Sequence, residues 1–358
     1  MASHPRAGAD RPTLDTVAAA AGVSRMTVSN AYNRPDQLSA ATRRRVLEVA
    51  GRLGYAGPNP TAASLRLGRT GTVGVMLTEQ LPSAFADPGL ILILHGIATE
   101  LSAAGNALLL VPTYGADGAS LLRHALIDAL ILCSLSPDDP AVAAAVERRA
   151  PLVTVGYPRL ARVPCVGPDN RAAAAGMAAH LLELGHRRCA VLTTVSGHRQ
   201  GPARPIFGDR VNGFSRAIGA AAQRNRADAR RTEIAMFRAA DNTREAGRAA
   251  LRSALARAAS DRPTAIFAVT DILALGALDA AREAGLSVPG ELSVAGYDDI
   301  AEAATSTPAL TTVAHDLFGQ GRIAARLARR IVDGESVRAP RLRATVVARA
   351  STGPAPPG

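Results

Sequence analysis

The chain has 358 residues, 47% hydrophobic and 20% charged: too long for one ordinary domain and too apolar for the disordered class. No apolar run approaches the roughly 20 residues of a membrane helix, and the opening MASHPRAGADRPT lacks an apolar secretory core, so a cytoplasmic protein is expected. Net charge is +11, and ten arginines against four acidic residues place +6 of it in residues 1–70, which points that fifth of the chain toward a polyanion, most simply nucleic acid.

Residues 1–12 read as a flexible basic arm. Thr13 is a natural N-cap, and Leu14, Val17, Ala18 and Ala21 then follow at helical spacing up to Gly22. Ser24 caps a second helix whose buried side is Val28, Ala31 and Tyr32, leaving Arg25, Met26, Ser29 and Asn30 on the other side. After the breaker YNRPDQ, Ser39 caps a third helix carrying Val46, Val49, Ala50 and Leu53 inward and Arg43 to Arg45 in its early turns. Two helices joined by AAGVS and packed by a third are the sequence form of a helix-turn-helix, here over 13–58. Over 59–70, Asn59 can cap and Pro60 fits a first turn, so 61–67 predicts a two-turn helix ended by Gly68. A helix that short is marginal alone and should order against a partner.

From residue 71 apolar strand runs alternate with Ala-rich helices. TVGVMLT, ALLLVPT, ALILCS and PLVTVGY form one series; CAVLTTV, IAMFRA, AIFAVTD and LSVAGYDD form a second. Two β-α series predict an α/β core of two doubly wound parallel-sheet subdomains, with ligands at the strand carboxyl ends and in the cleft between lobes. Cys133, Cys165 and Cys189 are too scattered for a zinc site or a disulfide framework, and buried free thiols are expected. His186 reads as a helix-end residue before a strand rather than a ligand. No P-loop, nucleophile elbow, dinucleotide fingerprint or metal-ligand cluster is present in the sequence, so no enzyme, cofactor or metal is expected.

The stretch from TLDTVAAAAGVSRMTVSNAYN to GRTGTVGVML resembles the head, hinge and first core strand of the lactose-repressor (LacI/GalR) family of bacterial transcription regulators. FGDRVNGF, AIFAVTDILALGALDAAREAGLSVPGELSVAGYDDI and TPALTTVAHD resemble that family's effector domain. The resemblance implies a fold of helix-turn-helix head and hinge helix followed by a core similar to periplasmic binding proteins. It divides that core into a subdomain of 71–166 plus 317–340 and one of 167–316 plus 341–350, with 351–358 a flexible tail.

It further implies a homodimer or tetramer on a near-palindromic operator. Arg25, Met26 and Asn30 would read bases, and Ser24, Thr27, Ser29, Asn33, Thr42 and Arg43 would meet the backbone or cap. Arg25 suits guanine O6 and N7, Asn30 adenine, and Met26 a thymine methyl. Met26 departs from the family's more often polar residue, and packing against Tyr32 or the hinge is its alternative reading. Ala62 and Leu65 would enter the minor groove, Leu65 as the wedge at the central step.

Arg210, Asp271 and Asp298, with Thr270 and Tyr297 beside them, match the family's effector-binding positions, and Phe85 and Asp87 lie where the first lobe contacts ligand. Donor forks facing carboxylates suit a sugar, nucleoside or related polyol. For Asp271 and Asp298, capping of the following helix competes with that role. The 3% aromatic content, without Trp, argues against a simple sugar. A soluble binding protein of the periplasmic type without operator binding is the other reading.

Overall fold

The computed structural model describes residues 12–57, 68–78, 81–113, 118–194, 204–224, 233–256 and 262–357. The chain forms two compact units, Met1–Thr70 and Gly71–Gly358.

In the first unit, α1 (Leu14–Ala21), α2 (Arg25–Asn33) and α3 (Ala40–Leu53) are the three helices the capping residues call for. The side-chain oxygens of Thr13, Ser24 and Ser39 each accept the N–H of the residue three positions on. The turn between α1 and α2 rests on Gly22, whose φ of 63° is left-handed and whose N–H reaches Ala18 and Ala19 carbonyls, closing the helix end. Val17, Val28, Ala31, Val46, Val49 and Ala50 pack into one small core. The hinge positions Ala62 and Leu65 lie outside the described residues.

The second unit contains two parallel sheets. The first lobe has the order β2-β1-β3-β4-β5, from β1 (Thr72–Leu77), β2 (Ala107–Pro112), β3 (Ala129–Cys133), β4 (Leu152–Val155) and β5 (Cys165–Val166). The second has β7-β6-β8-β9, from β6 (Arg188–Thr193), β7 (Glu233–Arg238), β8 (Ala265–Ala268) and β9 (Ser293–Ala295). In each, the first strand of the series pairs with the second on one side and the third on the other, which creates the switch point where a doubly wound sheet binds ligand.

Helices cover both faces of the first sheet, with one apolar cluster on each. The helices Pro88–Ala103 and Leu317–Val332 pack on the same face, so the chain returns to the first lobe after completing the second. Their backbones touch: a Cβ at Gly96 would lie 2.0 Å from the Phe318 carbonyl oxygen, and one at Gly321 2.0 Å from that of Ile93. Only glycine permits that approach. No helix among the described residues is long and apolar enough to cross a membrane.

The expected flexible tail over 351–358 is corrected. Ser351 is fully buried, its hydroxyl accepts from the Thr311 N–H (2.8 Å) and donates to the Val294 carbonyl (2.6 Å), and Ala355 N–H reaches the Leu184 carbonyl. Its Pro, Gly and Ser composition imitates a linker, but its backbone groups continue the second lobe's hydrogen-bonding.

Candidate nucleic-acid interface and ligand cleft

On α2, Arg25 and Met26 are exposed and Asn30 is half-buried. Met26 is 67% exposed, so packing against Tyr32 does not account for it. Arg25 lies 3.5 Å from Asp15 with both side chains about two-thirds exposed, a pairing weak enough to exchange for another acceptor. Asn30 Nδ2 donates to Gln37 Oε1 (3.3 Å). Ser24 and Thr27 hold each other at the cap (2.9 Å), as do Ser39 and Thr42. Arg43 Nε donates to the Ala31 carbonyl (3.4 Å), tying α3 to α2.

Ser29 is a correction: it is buried, not outward, and Asn33 Nδ2 donates to its hydroxyl (3.4 Å). At 100° per residue the arc holding Ala31, Val28, Tyr32 and Ser29 spans about 160° of the helix, wider than the apolar side chains alone suggest. A small hydroxyl is tolerated at its edge.

Between the lobes of the second unit lies a cavity of about 60 Å3. Of the expected effector residues, Asp87, Arg210, Thr270 and Asp298 line it. Arg210 is almost fully buried at the centre of a polar cluster. Its Nη2 is 2.9 Å from Asp298 Oδ1, Nε donates to Asn170 Oδ1 (3.2 Å), and Nη1 donates to the Val269 carbonyl (2.6 Å). Asp298 also faces His315 Nε2 (3.1 Å), whose other ring nitrogen meets Gln320 (2.7 Å). Burial holds the His315 pKa below its ordinary value against the opposing pull of Asp298, keeping the ring neutral. Asp298 has a φ of 119°, a backbone conformation that an L-residue adopts only under constraint.

Three expected positions are not part of the wall. Asp271 is fully buried, and its carboxylate takes the Ile300 N–H (3.0 Å) and the Thr312 hydroxyl (2.5 Å); it braces the segment carrying Asp298, and burial raises its pKa to about 7. Tyr297 lies behind Arg210, donating its hydroxyl to Asn170 Oδ1 (2.9 Å). Phe85 sits on the helix Leu81–Ala86 with 57% of its surface exposed, because that helix turns its Ala84 inward.

The wall adds residues to which the sequence assigns no role: Asn170, Arg204, His315, which lies within TPALTTVAHD, and Gln320. Gln320 left a trace of its own in the sequence, as a polar residue on the apolar stripe of a helix otherwise lined by Leu317, Ala324 and Leu327. The other three reach the cavity from loops and helix starts far apart in the chain.

The family model for bacterial regulatory proteins of the lacI family matches residues 13–59, and that for a periplasmic binding protein-like domain matches residues 178–352. The HTH-type transcriptional regulator Rv3575c of Mycobacterium tuberculosis is 38% identical over 333 residues, covering 88% of this chain and 90% of its own. This chain belongs to the LacI family of bacterial transcriptional regulators. Another relative, the HTH-type transcriptional regulator CelR of Thermobifida fusca, is 34% identical over 345 residues, covering 93% of this chain and 95% of its own. A solved complex of the transcriptional regulator CelR with cellobiose matches at 31% identity with a TM-score of 0.66, covering 95% of this chain and all of that one. The lac repressor dimer bound to operator and an anti-inducer has the same fold, with a TM-score of 0.77 at 24% identity, covering 96% of this chain and all of that one. As in that family, a helix-turn-helix head precedes a periplasmic-binding-like core, and the chain combines DNA binding with an effector-binding domain.

Proposed function

We propose that this LacI-family regulator is a cytoplasmic repressor that binds a near-palindromic operator as a dimer and is controlled by a hydroxyl-rich small molecule in the inter-lobe cleft. The observation that carries the reading is the pairing of Arg210 with Asp298 on the cavity wall, in a chain whose head offers Arg25 and Met26 to solvent, with Asn30 half-buried beside them. Arginine and carboxylate side by side present donors and acceptors together, which is what a hydroxyl needs, since it gives and takes a hydrogen bond. The cellobiose complex of a relative supports a sugar or a related polyol.

On the DNA side, a single head covers one half-site, and two heads related by a two-fold axis read both halves. The segment 59–70, with Ala62 and Leu65, would join head to core and enter the minor groove. A ligand shifts operator affinity only by its differential affinity for two states of the core.

Selection of genomic fragments by the purified protein, followed by sequencing, tests the reading. The expected result is a short palindrome with a flexible pyrimidine–purine step at its centre. Recovery of fragments without a shared motif at moderate salt overturns it.

A further inference from the structure

A chain of hydrogen bonds runs along the cavity wall from the second lobe to the first. It starts at Asp298 Oδ1, on which Arg210 Nη2 (2.9 Å) and His315 Nε2 (3.1 Å) converge. His315 follows the strand Thr312–Ala314 and precedes the helix Leu317–Val332, so it stands where the chain passes from the second lobe back to the first. Its Nδ1 meets the side-chain amide nitrogen of Gln320 (2.7 Å), a buried residue of that helix.

The direction of the chain is fixed from both ends. A carboxylate accepts and does not donate, so His315 Nε2 carries a proton. An amide nitrogen donates and does not accept, so Nδ1 is bare. The ring is then the neutral Nε2–H imidazole, in keeping with the burial that lowers its pKa. With both donors on Oδ1, Asp298 Oδ2 accepts from none of the described residues. It lies toward Gly89 of the first lobe, 3.7 Å from where a Cβ would stand, and both residues line the cavity.

We propose that Gln320 is a positioning residue of the effector site: by donating to His315 it holds the ring proton on the side of Asp298, which pins Oδ1 and leaves Oδ2 to accept from a ligand hydroxyl. This rests on the reading of the cleft as the effector site. It gives a first-lobe helix a part in shaping a second-lobe acceptor.

The charged groups that act on the ring are Asp298, Arg210 and Asp316. Tyr297 packs ring to ring with it (5.2 Å between centroids) and turns its hydroxyl to Asn170. Gln320→Glu keeps the shape of the side chain and places a carboxylate where the amide stood. At low pH an extra proton, shared between the new carboxylate and the imidazole, lets both carboxylates be served. As the pH rises that proton leaves, one ring proton remains between two carboxylates, and Asp298 loses its support. A residue that merely fills space would give no such dependence.

Two measurements on the full chain test this. Nitrogen-15 spectra of the histidine rings, with His315→Gln assigning the signal among the seven histidines, should show Nδ1 bare and Nε2 protonated in the wild type at neutral pH. A proton on Nδ1 overturns the proposal, and this arm needs neither ligand nor a folded variant. Titration calorimetry with cellobiose, glucose and adenosine at pH 6 and pH 8 then compares the wild type with Gln320→Glu, thermal melting serving as the check of folding. For the tightest of the three ligands, the variant should lose at least about fivefold more affinity between pH 6 and pH 8 than the wild type does, the scale of one hydrogen bond. Equal ratios in the two proteins overturn the role of Gln320 and leave the reading of the cleft standing. If none of the three ligands binds the wild type, the hydroxyl-ligand reading of the cleft fails and the positioning role falls with it.

Discussion

The guanidinium carbon of Arg210 stands 3.7 Å from the centroid of the Tyr297 ring, so the cation that faces the cavity is supported from behind by an aromatic face. The three donor directions of Arg210 end on Asp298, Asn170 and Val269, which fixes the fork in one orientation. Lysine has the charge but not the planar fork. Arg210→Lys should therefore fold with a loss of about 2 kcal/mol from unmade charged hydrogen bonds and lose its ligand response. Operator affinity measured with and without effector checks this, and a response of wild-type size would remove Arg210 from the site.

Asp271 gives the fold a pH dependence of defined sign. Burial, followed by the nearby charge of Asp298, raises its pKa from the ordinary 3.8 to about 7. The folded state thus holds a proton that the unfolded chain releases near pH 4. The stability this contributes is complete below about pH 4 and is lost as the pH rises to about 7. At 1.36 kcal/mol per unit the span is at most about 4 kcal/mol. An asparagine oxygen can accept from Ile300 N–H and its amide can donate to the Thr312 hydroxyl. Asp271→Asn is expected to remove this contribution to the slope between pH 4 and 7 and to be the more stable protein at pH 8, as read from denaturant melts across pH.

These cases show where the sequence was legible. Thr13, Ser24 and Ser39 act within three residues of themselves, so local capping rules placed all three head helices. The alternating strand and helix runs of the core likewise carried their own periodicity. Asp271 and Asp298 both end strand segments in an Asp-bearing turn, and one became a brace and the other cavity wall. What separates them is the path of Thr312, which lies 41 residues from Asp271 and supplies the hydroxyl that occupies its carboxylate. Asn170 and Arg204 reached the cavity in the same long-range way, and no local pattern announces such contacts.

On the head, Arg25 and Met26 should separate base reading from stability. Neither side chain is buried, so alanine at either position is expected to leave melting within about 0.5 kcal/mol of the wild type. Arg25→Ala should cost about 1–3 kcal/mol of operator affinity and relax preference at one base pair. Met26→Ala should cost less and act at a thymine. Fluorescence anisotropy against single-base operator variants reads both; a loss by Arg25→Ala that is uniform across all sequences would make Arg25 a phosphate contact.

Ser29→Ala provides the contrast within the same helix. Its hydroxyl is buried and engaged with Asn33, so it has no path to a phosphate while the head keeps its packing. Operator affinity should stay within about twofold of the wild type, a change below the ~1.4 kcal/mol of a decade. A tenfold loss at constant melting temperature would restore Ser29 to the DNA backbone contacts.

The C-terminal segment should prove structural. Ser351 satisfies both the Thr311 N–H and the Val294 carbonyl from inside the second lobe, and its own carbonyl accepts the Val294 N–H (2.8 Å). Two residues on, Gly353 offers its carbonyl to His186 Nε2 (3.1 Å), and the same ring meets Ser293 (3.0 Å) and Thr264 (3.0 Å). Ser351→Ala leaves a buried donor and a buried acceptor without a partner, at a cost of about 1–3 kcal/mol. Removal of 351–358 strips His186 of the Gly353 carbonyl as well and should unfold the second lobe at ordinary temperature. Burial already lowers the His186 pKa, so the neutral ring contributes stability above the ordinary 6.5 that is lost as pH falls below it. The truncation and the point variant are read by thermal melting of the full chain at pH 8 and pH 5. A freely moving tail would leave the melt unchanged in both, whereas a packed one lowers it, because groups buried in the lobe lose partners that water cannot reach to replace.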